Sequence, residues 1–115
     1  MTDVDFVSKK CVPCEEGTPP LTKAQAEKYL KEVPKWELVE DSGKLKIRRR
    51  FQFDTYLVGI DFVNKVAKLA EVEGHHPDIF IGYKRVTVNL ITHAIGGLSE
   101  NDFIMAAKIN QLTLR

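Results

Sequence analysis

Residues 54–74 leave room for little besides one long helix. Gly59, Phe62, Val63, Val66, Ala67 and Ala70 fall on one apolar face at helical spacing. Asp54 or Thr55 caps the start, and Lys65 and Lys68 stand toward the end, where cations suit the helix dipole. Gly74 supplies a left-handed exit. Upstream, residues 36–39 and 45–53 read as strands joined by the Asp41-Ser42-Gly43 turn. In the second of them Leu45, Ile47, Phe51 and Phe53 alternate with Lys46, Arg48, Arg50 and Gln52, with Arg49 breaking the apolar face. Downstream, residues 78–83 and 85–92 read as a second hairpin. There Val86, Val88 and Leu90 point one way, while Thr87, Asn89, Ile91 and His93 point the other.

A shorter helix stands at each end of this pattern. Thr22 and Gln25 form a capping box before the stripe Ala26, Tyr29, Leu30 and Val33, and Pro34 ends it. Ser99 caps the last helix, Leu98 and Phe103 staple across it, and Met105, Ala106, Ile109 and Leu112 line its buried face. The order α-β-β-α-β-β-α predicts an α+β fold, a four-stranded antiparallel sheet with helices packed on one face. The other sheet face, carrying Thr87, Asn89, Ile91 and His93, is left to water, to a ligand or to a second subunit.

With 115 residues, 43% hydrophobic and 29% charged, the chain is sized for one core and is not disordered. A net charge of +1 creates no broad field for nucleic acid or an anionic membrane. Lys44, Lys46, Arg48, Arg49 and Arg50 read as a solvated strand face rather than a phosphate track. The N-terminus has acidic residues and no apolar run, and no segment approaches the roughly 20 apolar residues of a membrane helix, so a cytoplasmic location is expected. Residues 1–20, with Pro13, Gly17, Pro19 and Pro20 and no periodicity, read as a flexible leader to a domain spanning residues 21–115. The leader holds the chain's two cysteines, Cys11 and Cys14, spaced C-x-x-C. A zinc site would need two further ligands, and a redox thiol would need a helix N-terminus beside it. Reduced thiols on an arm are therefore expected, a metal shared with a histidine or another chain being the other reading.

The stretch EVEGHHPD, residues 71–78, concentrates two of the three histidines. Gly74 lets the chain leave its helix abruptly, and Pro77 holds His76 extended. A hairpin starting at Asp78 returns its far end, with His93, beside its start, so His75, His76 and His93 converge. An imidazole takes up and gives back a proton close to neutral pH, and neighbouring rings resist being charged together. One can then act as base and another as acid. Zinc or iron is the rival reading. Adjacent histidines on extended backbone point apart, which counts against a shared ion. Glu71 stands where it orients a histidine or ends a helix in solvent. Asp102 falls at the third position of its helix, where a cap also explains it.

EVEGHHPD, then Tyr83 in IGYKRV, then THAIGGLSENDF resemble the pterin-4a-carbinolamine dehydratases, also known as dimerisation cofactors of a hepatocyte nuclear factor. Glu71, His75, His76, Pro77, Tyr83, Thr92, His93, Gly97, Leu98, Ser99 and Asp102 match the family pattern in order, over residues 21–114, and the cysteine leader looks like that of bacterial members. The resemblance implies dehydration of a 4a-hydroxytetrahydropterin to the quinonoid dihydropterin, without metal or organic cofactor. It implies His75, His76 and His93 as catalytic residues, with His76 anchoring substrate and the other two moving protons. Glu71, Pro77, Phe80, Tyr83, Thr92 and Asp102 are the implied substrate-binding set. Some relatives carry tryptophan where Ile79 stands, with Phe80 next to it here. The family also implies a homodimer or homotetramer and, in animal members, a second role binding a transcription factor.

Overall fold

A computed structural model of the chain describes residues 5–13 and 15–113. In chain order the elements are α1 (Lys23–Leu30), β1 (Glu37–Asp41), β2 (Lys44–Gln52), α2 (Tyr56–Glu73), β3 (Asp78–Ile81), β4 (Arg85–Leu90) and α3 (Glu100–Gln111). The strands form one antiparallel sheet in the order β1-β2-β4-β3, which is the expected α+β arrangement. Ser42 and Gly43 take positive φ angles of 55° and 79°. They form the two-residue turn whose twist matches the β1–β2 hairpin. Thr55 is the α2 cap, its hydroxyl accepting from the Val58 N–H at 3.2 Å. Gly74, at φ 69°, closes α2 in the left-handed conformation that a side chain would oppose.

Ile47, Val86, Val88, Leu90, Phe62, Val66, Phe103 and Met105 make the core between sheet and helices, all of them buried. Arg49, which breaks the apolar alternation of β2, stays on the helix side. Its guanidinium lies 4.3 Å from the Phe51 ring centre and donates to Asn110 Oδ1. The same oxygen accepts from Trp36 Nε1 at 2.8 Å. Burial lowers the Arg49 pKa from its ordinary value. A polar residue on α3 thus satisfies two donors that a purely apolar core would strand.

Two expectations need correction. The last strand ends at Leu90 rather than Thr92, because the chain closes on itself there. Thr92 N–H donates to Gly97 O at 2.8 Å, and His93–Ile95 form a 3-10 turn. The N-terminal leader is not loose over residues 5–13. Phe6 is 2% exposed, with ring centres 5.2 Å from Tyr29 and 6.0 Å from Phe103. Cys11 is buried as well. The physical reason lies in α3, where every residue from 101 to 107 is buried. A helix buried all round, and apolar from Phe103 to Ala107, needs cover on the side away from the sheet. Residues 5–13 lie against it there. Phe6→Ala should therefore lower unfolding stability by about 3 kcal/mol in urea titration, the cost of emptying a buried aromatic site. A loose arm would show no change.

Candidate active site

Asp102 is fully buried in the first turn of α3. Its Oδ2 accepts from the Ser99 N–H at 3.0 Å and from the Thr92 hydroxyl at 2.8 Å. Ser99 Oγ lies 2.7 Å from Thr92 Oγ1. Since the Thr92 proton goes to Asp102, Ser99 is the donor in that contact. The carboxylate is therefore a helix cap and the tie that holds the 92–97 loop to α3. Its other oxygen, Oδ1, lies 2.7 Å from His75 Nε2. The capping expectation for Asp102 is met, and the same carboxylate also holds the His75 ring.

His75 follows Gly74, so the left-handed end of α2 drops its ring onto α3. The side chain is 12% exposed. With Nε2–H given to Asp102, the ring presents Nδ1 as a lone pair. His76 is outside, 60% exposed, with Nε2 2.6 Å from Glu71 Oε2 on the last turn of α2. His93, at the start of the 3-10 turn, is 73% exposed, and its Nε2 stands 3.9 Å from Asp78 Oδ2. That distance is an ion-pair approach and not a hydrogen bond. Each imidazole thus has its own carboxylate. All three rings line one cleft of about 290 Å³ with Val12, Pro13, Ile91, Thr92 and Ala94. Among the described residues no three His, Cys, Asp or Glu side chains are grouped to hold a metal ion. A larger depression of about 670 Å³ lies between β2 and α2, lined by Arg49, Arg50, Phe53, Asp61 and Lys65, and contains no imidazole.

Residues 19–112 match the family model described as pterin 4 alpha carbinolamine dehydratase. The chain belongs to that family. Pterin-4-alpha-carbinolamine dehydratase 2, mitochondrial, of Arabidopsis thaliana is 46% identical over 94% of this chain and 59% of its own length. A Methylococcus capsulatus protein named after the same dehydratase is 50% identical over 97% of this chain and 96% of its own. Among solved structures, a transcriptional coactivator/pterin dehydratase from Brucella melitensis superposes with TM-score 0.73 at 33% identity, covering 81% of this chain and 97% of that one. A pterin dehydratase-like RuBisCO assembly factor of the alpha-carboxysome superposes with TM-score 0.59 at 26% identity, over 69% of this chain and 89% of that one.

The residues singled out in the sequence do not all come together. His75, His76, His93 and Thr92 line the cleft, and Glu71 and Asp102 hold two of its rings. Pro77 is half-buried at the entry to β3. Phe80 projects from the open sheet face beside Arg48, Arg50, Arg85 and Thr87. Tyr83, 74% exposed, sits at the hairpin tip against Tyr56, with ring centres 6.5 Å apart. Within one chain neither aromatic lines the histidine cleft. Ile79 packs toward the core. Asp78, as the partner of His93, was not anticipated, though it closes the HHPD motif and opens the hairpin that returns to His93.

Another buried charge, Glu73, ends α2. Its Oε1 accepts the Cys11 N–H at 2.9 Å and its Oε2 meets Lys108 Nζ at 2.6 Å. Burial pushes this carboxyl up, but the Cys11 N–H and the Lys108 ammonium outweigh burial and hold it below its ordinary value of 4.5. Burial, reinforced by Glu73, pushes the Cys11 thiol up to about 12, so it stays protonated at neutral pH and is no redox nucleophile. Cys14, its partner in the C-x-x-C, lies outside the described residues. A depressed carboxyl contributes stability fully above 4.5, and that contribution is lost as pH falls through the folded value. Wild type should exceed Glu73→Gln by about 1.5 kcal/mol at pH 7, the worth of hydrogen bonds to a charged group. The gap should close in melts run progressively below pH 4.5. A gap unchanged at pH 3 would contradict this role.

Proposed function

We propose that this protein dehydrates a 4a-hydroxytetrahydropterin to the quinonoid dihydropterin, returning the pterin cofactor of aromatic amino acid hydroxylases to its cycle. The observation that carries the reading is the set of three imidazoles around one cleft, each with its own carboxylate. The reaction removes the proton on N5, forms a double bond between N5 and C4a, and breaks the bond from C4a to its hydroxyl. The hydroxyl leaves as water once it receives a proton. One base and one acid complete the balance, and no electron is gained or lost.

His75 suits the base. Asp102 holds Nε2–H and so leaves Nδ1 free to accept, and the same carboxylate stabilises the ring once it is protonated, the logic of an acid-oriented histidine. His93 suits the acid, since it is open to solvent for reprotonation and is not locked by a close hydrogen bond. His76, braced by Glu71, anchors the substrate. Thr92 holds Asp102 in place from the loop that carries His93.

The working form would be a homodimer or homotetramer in the cytoplasm. Exposed Leu57, Val72, Phe80, Ile81 and Tyr83 support association, because such side chains gain from cover. Among the described residues no helix is long and apolar enough to cross a membrane. An interaction module is the second reading, favoured by the same apolar surface and by the coactivator and assembly-factor names of the two structural relatives.

The test follows ultraviolet absorbance of freshly generated 4a-hydroxytetrahydropterin. The protein should accelerate its loss, and EDTA should leave the rate unchanged. His75→Ala and His93→Ala should each lower kcat by about 10²- to 10⁴-fold, the contribution of one positioned acid or base. His76→Ala should act mainly on KM. No acceleration by wild type would favour the interaction module, and a rate abolished by EDTA would point to a metal enzyme.

A further inference from the structure

We propose that residues 9–13 are a built wall of the histidine cleft and that Val12 touches the substrate, an inference that rests on the pterin reading above. The segment is tied down residue by residue. Lys9 pairs with Glu100 at 2.8 Å, and Lys10 Nζ donates to Val72 O at 3.1 Å. The Cys11 N–H goes to Glu73, and the Val12 N–H goes to Asn101 Oδ1 at 3.0 Å. Asn101 Nδ2 returns a bond to Val12 O. One anchor adjoins the proposed base and the other its carboxylate: Glu73 stands two residues before His75, and Asn101 stands next to Asp102.

This fastening decides which side chain faces out. Cys11 turns inward, 8% exposed, with its thiol 3.6 Å from Asn101 O. Val12 is then held outward at 63% exposure, on the cleft that the three imidazoles line. A lone surface valine on a mobile arm would call for no explanation. Here the backbone at Cys11 and Val12 is fixed by buried groups, and Pro13, Ile91 and Ala94 add apolar lining. A pterin is a flat bicycle with polar edges and two broad faces. The imidazoles address the N5 edge and the face that carries the 4a-hydroxyl, and a fixed apolar wall is the natural support for the opposite face. The family match begins at residue 19, so this wall lies outside it.

The experiment measures dehydration kinetics and, by fluorescence quenching, binding of the stable 7,8-dihydropterin. It compares wild type with Val12→Ala, Val12→Asp and the control Val7→Ala, whose site lies away from the cleft. Val12→Ala should raise KM and the dihydropterin Kd roughly three- to tenfold, as expected for lost apolar contact in a binding site. Its kcat should stay within about twofold of wild type. Val12→Asp should raise both constants further, Val7→Ala neither, and far-ultraviolet circular dichroism should superpose for all four. Unchanged KM and Kd in both Val12 variants of an active enzyme would overturn the wall while leaving the dehydratase reading intact. A fall in kcat with KM unchanged would also overturn it. A wild type that neither turns over nor binds dihydropterin would sink wall and reading together.

Discussion

Most of what matters in this molecule passes through the carboxylate of Asp102. It is withdrawn from water, a position that costs several kcal/mol for an unpaired charge and is tolerable only with its hydrogen bonds filled. Filling them imposes geometry. The Ser99 N–H fixes where α3 begins, the Thr92 hydroxyl fixes the loop after β4, and His75 Nε2 fixes the chain leaving α2. The start of α3, the loop just before it and the end of α2, 27 residues away, are therefore brought to one point by one side chain. Two of them carry His75 and His93. The position of the cleft follows from the way this single buried charge is satisfied.

A second buried carboxylate, Glu73, repeats the device at the end of α2 with a different result. It joins α2 to α3 through Lys108 and draws the N-terminal segment against both by way of Cys11. Phe6 completes the seal over Phe103 and Tyr29. The two charges divide the labour between them. One orients the His75 ring, and the other holds the backbone at Cys11. Neither is exposed to solvent screening, so both remain effective in physiological salt.

The fold was legible because its signals are local. Capping residues Thr22, Thr55 and Ser99, the exit at Gly74, the Ser42-Gly43 turn and the alternation of β2 each specify their element from within a few residues. The convergence of the histidines was legible too, since hairpin geometry alone returns residue 93 to residue 78. What was hidden is non-local. Residues 5–13 lack periodicity because they adopt no long element, yet their order comes from α3. The run Phe103-Ile104-Met105-Ala106-Ala107, apolar around a whole turn, was the signal that something must cover its far side. Phe80 and Tyr83 show the opposite failure: a motif match carries their identity, but a strand's alternation and a hairpin's length decide where they point.

Family membership and site chemistry rest on separate supports here. Relatives of the same fold bear names for dehydration and for assembly, so the fold alone does not assign a reaction. The proposed reaction rests instead on the imidazole held by a buried carboxylate, and its tautomer is the most direct check. Ring ¹⁵N spectra of His75, recorded at alkaline pH with the ring neutral, should show the proton on Nε2 and a bare lone pair on Nδ1, and that preference should vanish in Asp102→Ala. A proton found on Nδ1, or a spectrum indifferent to the loss of Asp102, would contradict the role given to this pair.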